Sequence, residues 1–127
     1  SQTSFYEYLE SQLQELELEE KEQKIAEQLV GSIDEDGYLK RELEAIADDL
    51  SFQQNIVAEE EEIEAVLEKI QQLEPPGIGA RDLKECLLLQ INKMKPKDPG
   101  VPLAYRIIDE QFEAFTQKNY NKIQRIM

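Results

Sequence analysis

The 127-residue sequence contains no histidine, no tryptophan and only one cysteine. The scarcity of histidine and cysteine excludes several common kinds of catalytic and metal-binding site. Without histidine or a cysteine pair, the common zinc sites and nucleophile–base pairs cannot be built. A single cysteine forms no internal disulfide, and no signal peptide or long apolar run is present, which favours a reduced cytoplasm and no membrane association. We therefore expect a cytoplasmic protein that is not an enzyme and has no catalytic, cofactor-binding or metal-binding residues.

Basic residues are also scarce, since 14 lysines and arginines stand against 28 aspartates and glutamates, for a net charge of −14. Nucleic acids and anionic membranes are poor partners for such a chain. The charge is uneven: residues 1–80 hold 5 basic and 22 acidic residues, whereas residues 81–127 hold 9 and 6. The sequence begins without methionine and ends inside an apolar pattern, so we expect a fragment of a longer protein.

Apolar residues recur at helical spacing along most of the chain and nowhere alternate as in a strand, which predicts an all-α fold. Four helices are expected before Pro75, at about residues 4–16, 19–30, 41–50 and 59–74, and three after it, at about 80–91, 103–115 and 119–127.

Local signals mark several of the expected helix boundaries. Ser4 and Glu7 have the spacing of a capping box at the start of the first helix. Gly31 has the position of a C-terminal stop for the second helix. Residues 51–55 are expected to form a loop after the third.

Two prolines and two glycines lie between the fourth and fifth expected helices, in the segment EPPGIG. Pro75 and Pro76 have no amide hydrogen and hold their predecessors extended, so the fourth helix must end before them. Gly77 and Gly79 can adopt positive φ and therefore allow a tight connection. Residues 75–79 are called the hinge segment below.

The hinge segment divides the expected fold into two small helical lobes that pack on each other. Residues 1–74 form an acidic lobe of about four helices, and residues 75–127 form a second lobe of about three, truncated at its end. The fifth helix is apolar on nearly every side from Leu83 to Ile91 and is expected to be buried where the lobes meet.

A second turn signal follows the second helix, where Asp34, Glu35 and Asp36 precede Gly37. We call residues 34–37 the acidic turn and expect Gly37 to have positive φ. The segment superficially resembles a calcium loop, but the position that requires a bidentate glutamate is occupied by Leu43. Calcium binding is therefore not expected.

The hinge segment resembles a helix-hairpin-helix motif, in which a Pro-Gly-Ile-Gly turn aims backbone amides at a DNA phosphate. Arg81 and Lys84 follow closely enough to assist such a contact. The structural alternative is that the turn only packs two helices together. The preceding helix carries many glutamates and would repel a phosphate backbone. A phosphate-binding or DNA-binding module is therefore the second hypothesis for the function.

The segments IAEQLVGSIDEDGYL (25–39) and VLEKIQQLEPPGIGARDLKECLLLQI (66–91) resemble the core-binding domain of bacterial sigma-54 factors. SFYEYLESQL near the start extends the similarity to about three quarters of the chain, although family members commonly have asparagine at the position of Ser32. The resemblance implies a transcription initiation factor that recruits core RNA polymerase to promoters. It also implies that promoter DNA and the ATP-hydrolysing activator contact regions absent from this chain.

On this basis we expect a monomer that binds core RNA polymerase without a cofactor. The leading partner-binding candidates are the acidic turn (Asp34, Glu35, Asp36) and the basic start of the fifth helix (Arg81, Lys84). Charged patches of this kind mainly steer and orient docking. Each set has a structural alternative: the turn simply closes a loop, and Arg81 pairs with a carboxylate that fixes the hinge segment.

Overall fold

The computed structural model describes the backbone of residues 2–94 and the side chains of residues 4–94. The described part contains five α-helices and no strand, which confirms the all-α prediction. The helices are α1 (Gln2–Glu15), α2 (Glu20–Ser32), α3 (Leu43–Gln54), α4 (Glu60–Ile70) and α5 (Leu83–Asn92). The sixth and seventh expected helices lie outside the described residues, and the division into two lobes remains a prediction.

The core is built around α2, which packs against α1, α3 and α4. One face of α2 is buried because its apolar residues recur at helical spacing, and α4 turns a similar face toward it. Completely or almost completely buried on these two faces are Ile25, Ala26, Leu29, Val30, Ile63, Val66, Leu67 and Ile70. Each large aliphatic side chain buried in this way contributes roughly 1.5 to 3 kcal/mol of hydrophobic stabilisation.

Three predicted boundaries in the first half of the chain are wrong. The first helix begins at Gln2, so Ser4 lies inside it and does not cap it. The second helix continues through Gly31 to Ser32, because glycine also tolerates helical φ and the helix ends only where Ile33 becomes extended. The third helix continues through the expected loop to Gln54, and Asn55 ends it in the left-handed conformation that asparagine tolerates.

The two boundaries beside the hinge segment also differ from the prediction. The fourth helix ends at Ile70, four residues earlier than expected, and residues 71–82 form a series of turns. The fifth begins at Leu83 rather than Ala80, because the Asp82 carboxylate accepts a hydrogen bond from the Glu85 amide at 2.8 Å and caps the helix. The Glu74–Pro75 peptide bond is cis.

The predicted burial of α5 is not found among the described residues. Leu83 is 57% exposed, and the other apolar residues of the helix are only half-buried: Cys86, Leu87, Leu88, Leu89 and Ile91. In the described part of the chain, α5 rests on the hinge segment and runs along none of α1–α4. Among the described residues, α5 is therefore covered on one side only.

Candidate docking surface

The acidic turn and the hinge segment lie side by side, although they are far apart in the sequence. The Gly79 amide donates to the Gly37 carbonyl at 2.8 Å, and the Leu39 amide donates to the Ala80 carbonyl at 2.9 Å. A parallel bridge joins Tyr38 to Ala80 beside them. The two regions that the sequence singles out therefore form one continuous surface.

Backbone hydrogen bonds close the acidic turn as the sequence predicts. The Gly37 amide donates to the Asp34 carbonyl at 3.0 Å, and the Asp34 amide donates to the Tyr38 carbonyl at 2.9 Å. An antiparallel bridge between Ile33 and Leu39 extends the pairing by one position. Gly37 has φ of 87°, which confirms the predicted positive value.

The three acidic side chains of the turn have different surroundings. The Asp34 carboxylate accepts from the amides of Asp36 and Tyr38 at 2.9 and 3.0 Å, and its other oxygen lies 3.4 Å from the Lys40 ammonium. The Tyr38 amide is the main reason that the pKa of Asp34 is lowered. Glu35 and Asp36 are exposed. Asp34 therefore stabilises the turn, while the charges of Glu35 and Asp36 face outward.

The amides of residues 78–81, at the end of the hinge segment and just after it, donate hydrogen bonds inside the protein. Those of Ile78 and Ala80 donate to the carbonyls of Pro75 and Gly77 at 3.1 and 3.2 Å, and that of Gly79 makes the bond to the acidic turn. The next amide, of Arg81, donates to the Glu85 carboxylate at 2.8 Å. Because these four consecutive donors already have partners, they cannot bind a phosphate, and the geometry does not support the helix-hairpin-helix hypothesis.

The two hinge glycines allow close packing as well as tight turns. Gly77 and Gly79 have φ of 94° and 79°. A Cβ atom on Gly77 would lie 2.7 Å from the Sγ atom of Cys86 in α5, so only glycine lets the helix approach this closely. On the other side, the buried Gln71 side chain donates to the Gly79 carbonyl at 3.1 Å. The hinge segment is thus packed between α5 on one side and Gln71 on the other.

Hydrogen bonds connect the two residues before Pro75 to α1 and to the end of α5. The side-chain amide of Gln12 in α1 donates to the Glu74 carbonyl at 2.7 Å and accepts from the Glu74 amide at 2.8 Å. The Lys93 ammonium at the end of α5 donates to the Leu73 carbonyl at 2.7 Å. These bonds fix the position of the two prolines relative to α1 and α5.

Arg81 pairs with carboxylates of two helices. Its guanidinium donates from Nε and Nη2 to Glu85 at 3.1 and 2.8 Å, and Nη1 lies 3.5 Å from Glu64 in α4. The Glu85 carboxylate raises the pKa of Arg81. Burial alone would raise the pKa of Glu85, but the hydrogen bonds from Arg81 outweigh it and the pKa is lowered. This geometry favours the structural alternative for Arg81, while Lys84 lies half-buried in the first turn of α5.

A pocket of about 200 Å³ opens where the acidic turn, the hinge segment and the start of α1 meet. We call it the turn–hinge pocket; it is lined by Phe5, Glu35, Asp36, Gly37, Pro75, Pro76, Gly77, Ile78 and Cys86. Phe5, Ile78 and Cys86 were not predicted from the sequence to be site residues. Their apolar character alone does not distinguish them from core residues.

Among residues 2–94, no group of three or more histidine, cysteine, aspartate or glutamate side chains is placed to hold a metal ion. None of the five described helices combines the length and apolar character needed to cross a membrane.

Comparisons with known proteins point to one family. The family described as "Sigma-54 factor, core binding domain" matches residues 1–127. The RNA polymerase sigma-54 factor of Pseudomonas aeruginosa is 39% identical over 103 residues, covering 81% of this chain and 20% of the relative. That of Bacillus subtilis is 35% identical over 122 residues, covering 96% of this chain and 26% of the relative. The chain thus spans a fifth to a quarter of the length of these relatives.

Proposed function

The chain belongs to the family of sigma-54 factor core-binding domains, and from this we propose that it docks a transcription initiation factor on core RNA polymerase. On this proposal the chain acts as a monomeric binding module in the bacterial cytoplasm and catalyses no reaction. Reading promoter DNA and responding to an ATP-hydrolysing activator are not part of the role proposed for these residues.

One structural observation carries the proposal beyond the family match. The two segments through which the sequence resembles the family, residues 25–39 and 66–91, meet at the hydrogen bond between Gly79 and Gly37. The surface they form is held by backbone bonds and carries exposed charge at Glu35 and Asp36. A surface that is already ordered loses little conformational entropy on binding, which favours protein–protein docking.

The excess of acidic residues in this chain favours a partner whose contact surface is basic. Residues 1–80 carry 22 acidic and 5 basic residues, so the described part of the chain attracts positively charged protein surfaces from a distance. A stable protein–protein contact buries on the order of 1,600 Å² in total, more than the acidic turn alone can supply. Apolar contacts from neighbouring segments therefore have to contribute to the interface.

Competition tests the proposal directly. A labelled full-length sigma-54 factor is bound to core RNA polymerase from the same bacterium, and the unlabelled 127-residue chain is added in increasing amounts. We expect the chain to displace the labelled factor, with bovine serum albumin as the inert control. If the folded chain, checked by circular dichroism, leaves the factor bound at about 100 μM, roughly the affinity range of weak encounters, the proposal is wrong.

A second measurement separates docking from the DNA-binding hypothesis. Fluorescence anisotropy of a labelled DNA duplex is followed while the chain is added at about 0.15 M salt, where surface charges are largely screened beyond about 8 Å. We expect no binding, because the amides of residues 78–81 already have partners. Binding that disappears when Gly79 is replaced by valine would favour the helix-hairpin-helix hypothesis instead.

A further inference from the structure

The turn–hinge pocket combines apolar walls with an acidic rim. Its apolar side is formed by Phe5, Pro75, Pro76 and Ile78, and its rim carries Glu35 and Asp36. At about 200 Å³ it is smaller than the 300 to 1,000 Å³ typical of small-molecule and cofactor sites. Its size suits one side chain of a partner protein.

We propose that this pocket receives a lysine or arginine side chain of core RNA polymerase. The inference rests on the proposed function and adds to it the place and the chemistry of one contact. Lysine and arginine have long aliphatic stems and charged ends, so they bury the stem against apolar surface while the charge stays at a polar rim. Phe5 and the two prolines would contact the stem, and the Asp36 carboxylate would contact the charge.

The charge of Asp36 is available for this role. Within the described residues its carboxylate takes part in no hydrogen bond or ion pair, whereas Asp34 beside it accepts two backbone amides. The chain's own Lys40 is held elsewhere, since its ammonium lies 3.4 Å from Asp34 and 5.8 Å from the centre of the Tyr38 ring. An incoming cation would therefore meet the Asp36 carboxylate, which no hydrogen bond or ion pair of the described residues neutralises.

The pocket is also fixed in shape before any partner arrives. The bond between Gly79 and Gly37 holds its two sides together, and the Gln12 side chain holds Glu74 against α1. Ile78 is only 2% exposed and forms the base. Because these groups are ordered in the free protein, little further ordering opposes binding of the side chain.

Charge reversal at the rim tests the proposal. The 127-residue chain is labelled at its N-terminus, and its affinity for purified core RNA polymerase is measured for the wild type, Asp36→Lys and Glu61→Lys. Glu61 is an exposed control in the first turn of α4, at the opposite end of that helix from the hinge segment, and its reversal changes the net charge equally. We expect Asp36→Lys to weaken binding by about tenfold or more, since like charges in contact are strongly unfavourable. Glu61→Lys should change it by about twofold or less.

The outcomes separate the two proposals. If the wild-type chain fails to bind core polymerase, the proposed function is wrong. If the wild type binds and both variants bind equally well, or are weakened equally, docking stands and the pocket contact is wrong. Melting temperatures of the three proteins show whether the exposed substitutions have left the fold intact.

The thiol of Cys86 provides an independent readout, because it lines the same pocket and is the sole cysteine in the chain. The rate of its alkylation by N-ethylmaleimide is measured by mass spectrometry with and without core polymerase. A side chain seated in the pocket should slow alkylation by about tenfold or more, as expected for a contact buried at the centre of an interface. An unchanged rate in the presence of saturating core polymerase would refute the pocket contact.

Discussion

The amide of Gly79 donates to the carbonyl of Gly37 at 2.8 Å, and both glycines have positive φ. This single bond joins the acidic turn to the hinge segment. Because each glycine has a conformation that other residues adopt at a cost, both partners of the bond depend on glycine being present. The candidate docking surface therefore depends on two backbone positions far apart in the sequence.

Gly37 allows a comparison of two substitutions in the acidic turn. At φ of 87°, valine is strained and should lower the free energy of unfolding by about 1 to 3 kcal/mol. Asparagine tolerates this region better and should cost clearly less. Urea unfolding of Gly37→Val and Gly37→Asn measures both values. Equal losses would mean that φ at this position does not control the stability of the turn.

Gly77 and Cys86 are expected to be energetically coupled. Gly77→Ala introduces a Cβ atom 2.7 Å from Sγ of Cys86, in addition to strain at φ of 94°. Adding Cys86→Ala removes the clash but leaves the strain. A double-mutant cycle in urea should therefore give a coupling energy of about 0.5 to 3 kcal/mol, with the double variant more stable than the sum of the singles predicts. Simple additivity would show that α5 shifts freely away from the hinge segment.

The charge of Asp34 should make stability depend on pH. Its pKa is lowered in the folded state, mainly by the Tyr38 amide, relative to about 3.9 in an unfolded chain. The stabilisation is therefore present above about pH 4 and is lost as pH falls through the lower folded pKa. The difference in unfolding free energy between the wild type and Asp34→Asn should be largest near neutral pH and shrink in acid. A difference independent of pH would mean that the charge does not contribute.

Two leucines distinguish the buried core from the half-covered fifth helix. Leu67 in α4 is 0% exposed, so Leu67→Ala should cost about 2 to 5 kcal/mol. Leu87 in α5 is half-buried, and Leu87→Ala should cost about 1 to 2 kcal/mol. Urea unfolding compares them in the same protein. If Leu87→Ala costs as much as Leu67→Ala, residues outside the described range must cover α5, as the two-lobe prediction requires.

Local properties of the chain were sufficient to predict the class of fold and its main turns. Helical periodicity predicted all five described helices, and the glycine after three acidic residues predicted a turn with positive φ. Helix ends were predicted less well. Gly31 and residues 51–54 continue their helices, because a helix ends where tertiary packing and the following turn require it.

Capping by glutamate also went undetected in the sequence. The carboxylate of Glu22 accepts from the Glu19 amide at 3.1 Å, and Glu62 does the same for Glu59. The usual capping box begins with serine or threonine, and for this reason the sequence predicted a cap at Ser4 and not at Glu19 or Glu59. Among many glutamates, the sequence alone does not indicate which ones fold back onto the backbone.

The sequence by itself determined the all-α class, the acidic turn, the hinge segment and the resemblance to one family, because each follows from residues that are neighbours in the chain. Only the tertiary structure decided that the turn and the hinge segment meet, that the amides of residues 78–81 are already bonded, and that Arg81 pairs with Glu64 and Glu85. It also showed that Phe5 and Asp36 line one pocket. These relationships depend on distances in space between residues that are far apart in sequence, and local propensity carries no information about such distances.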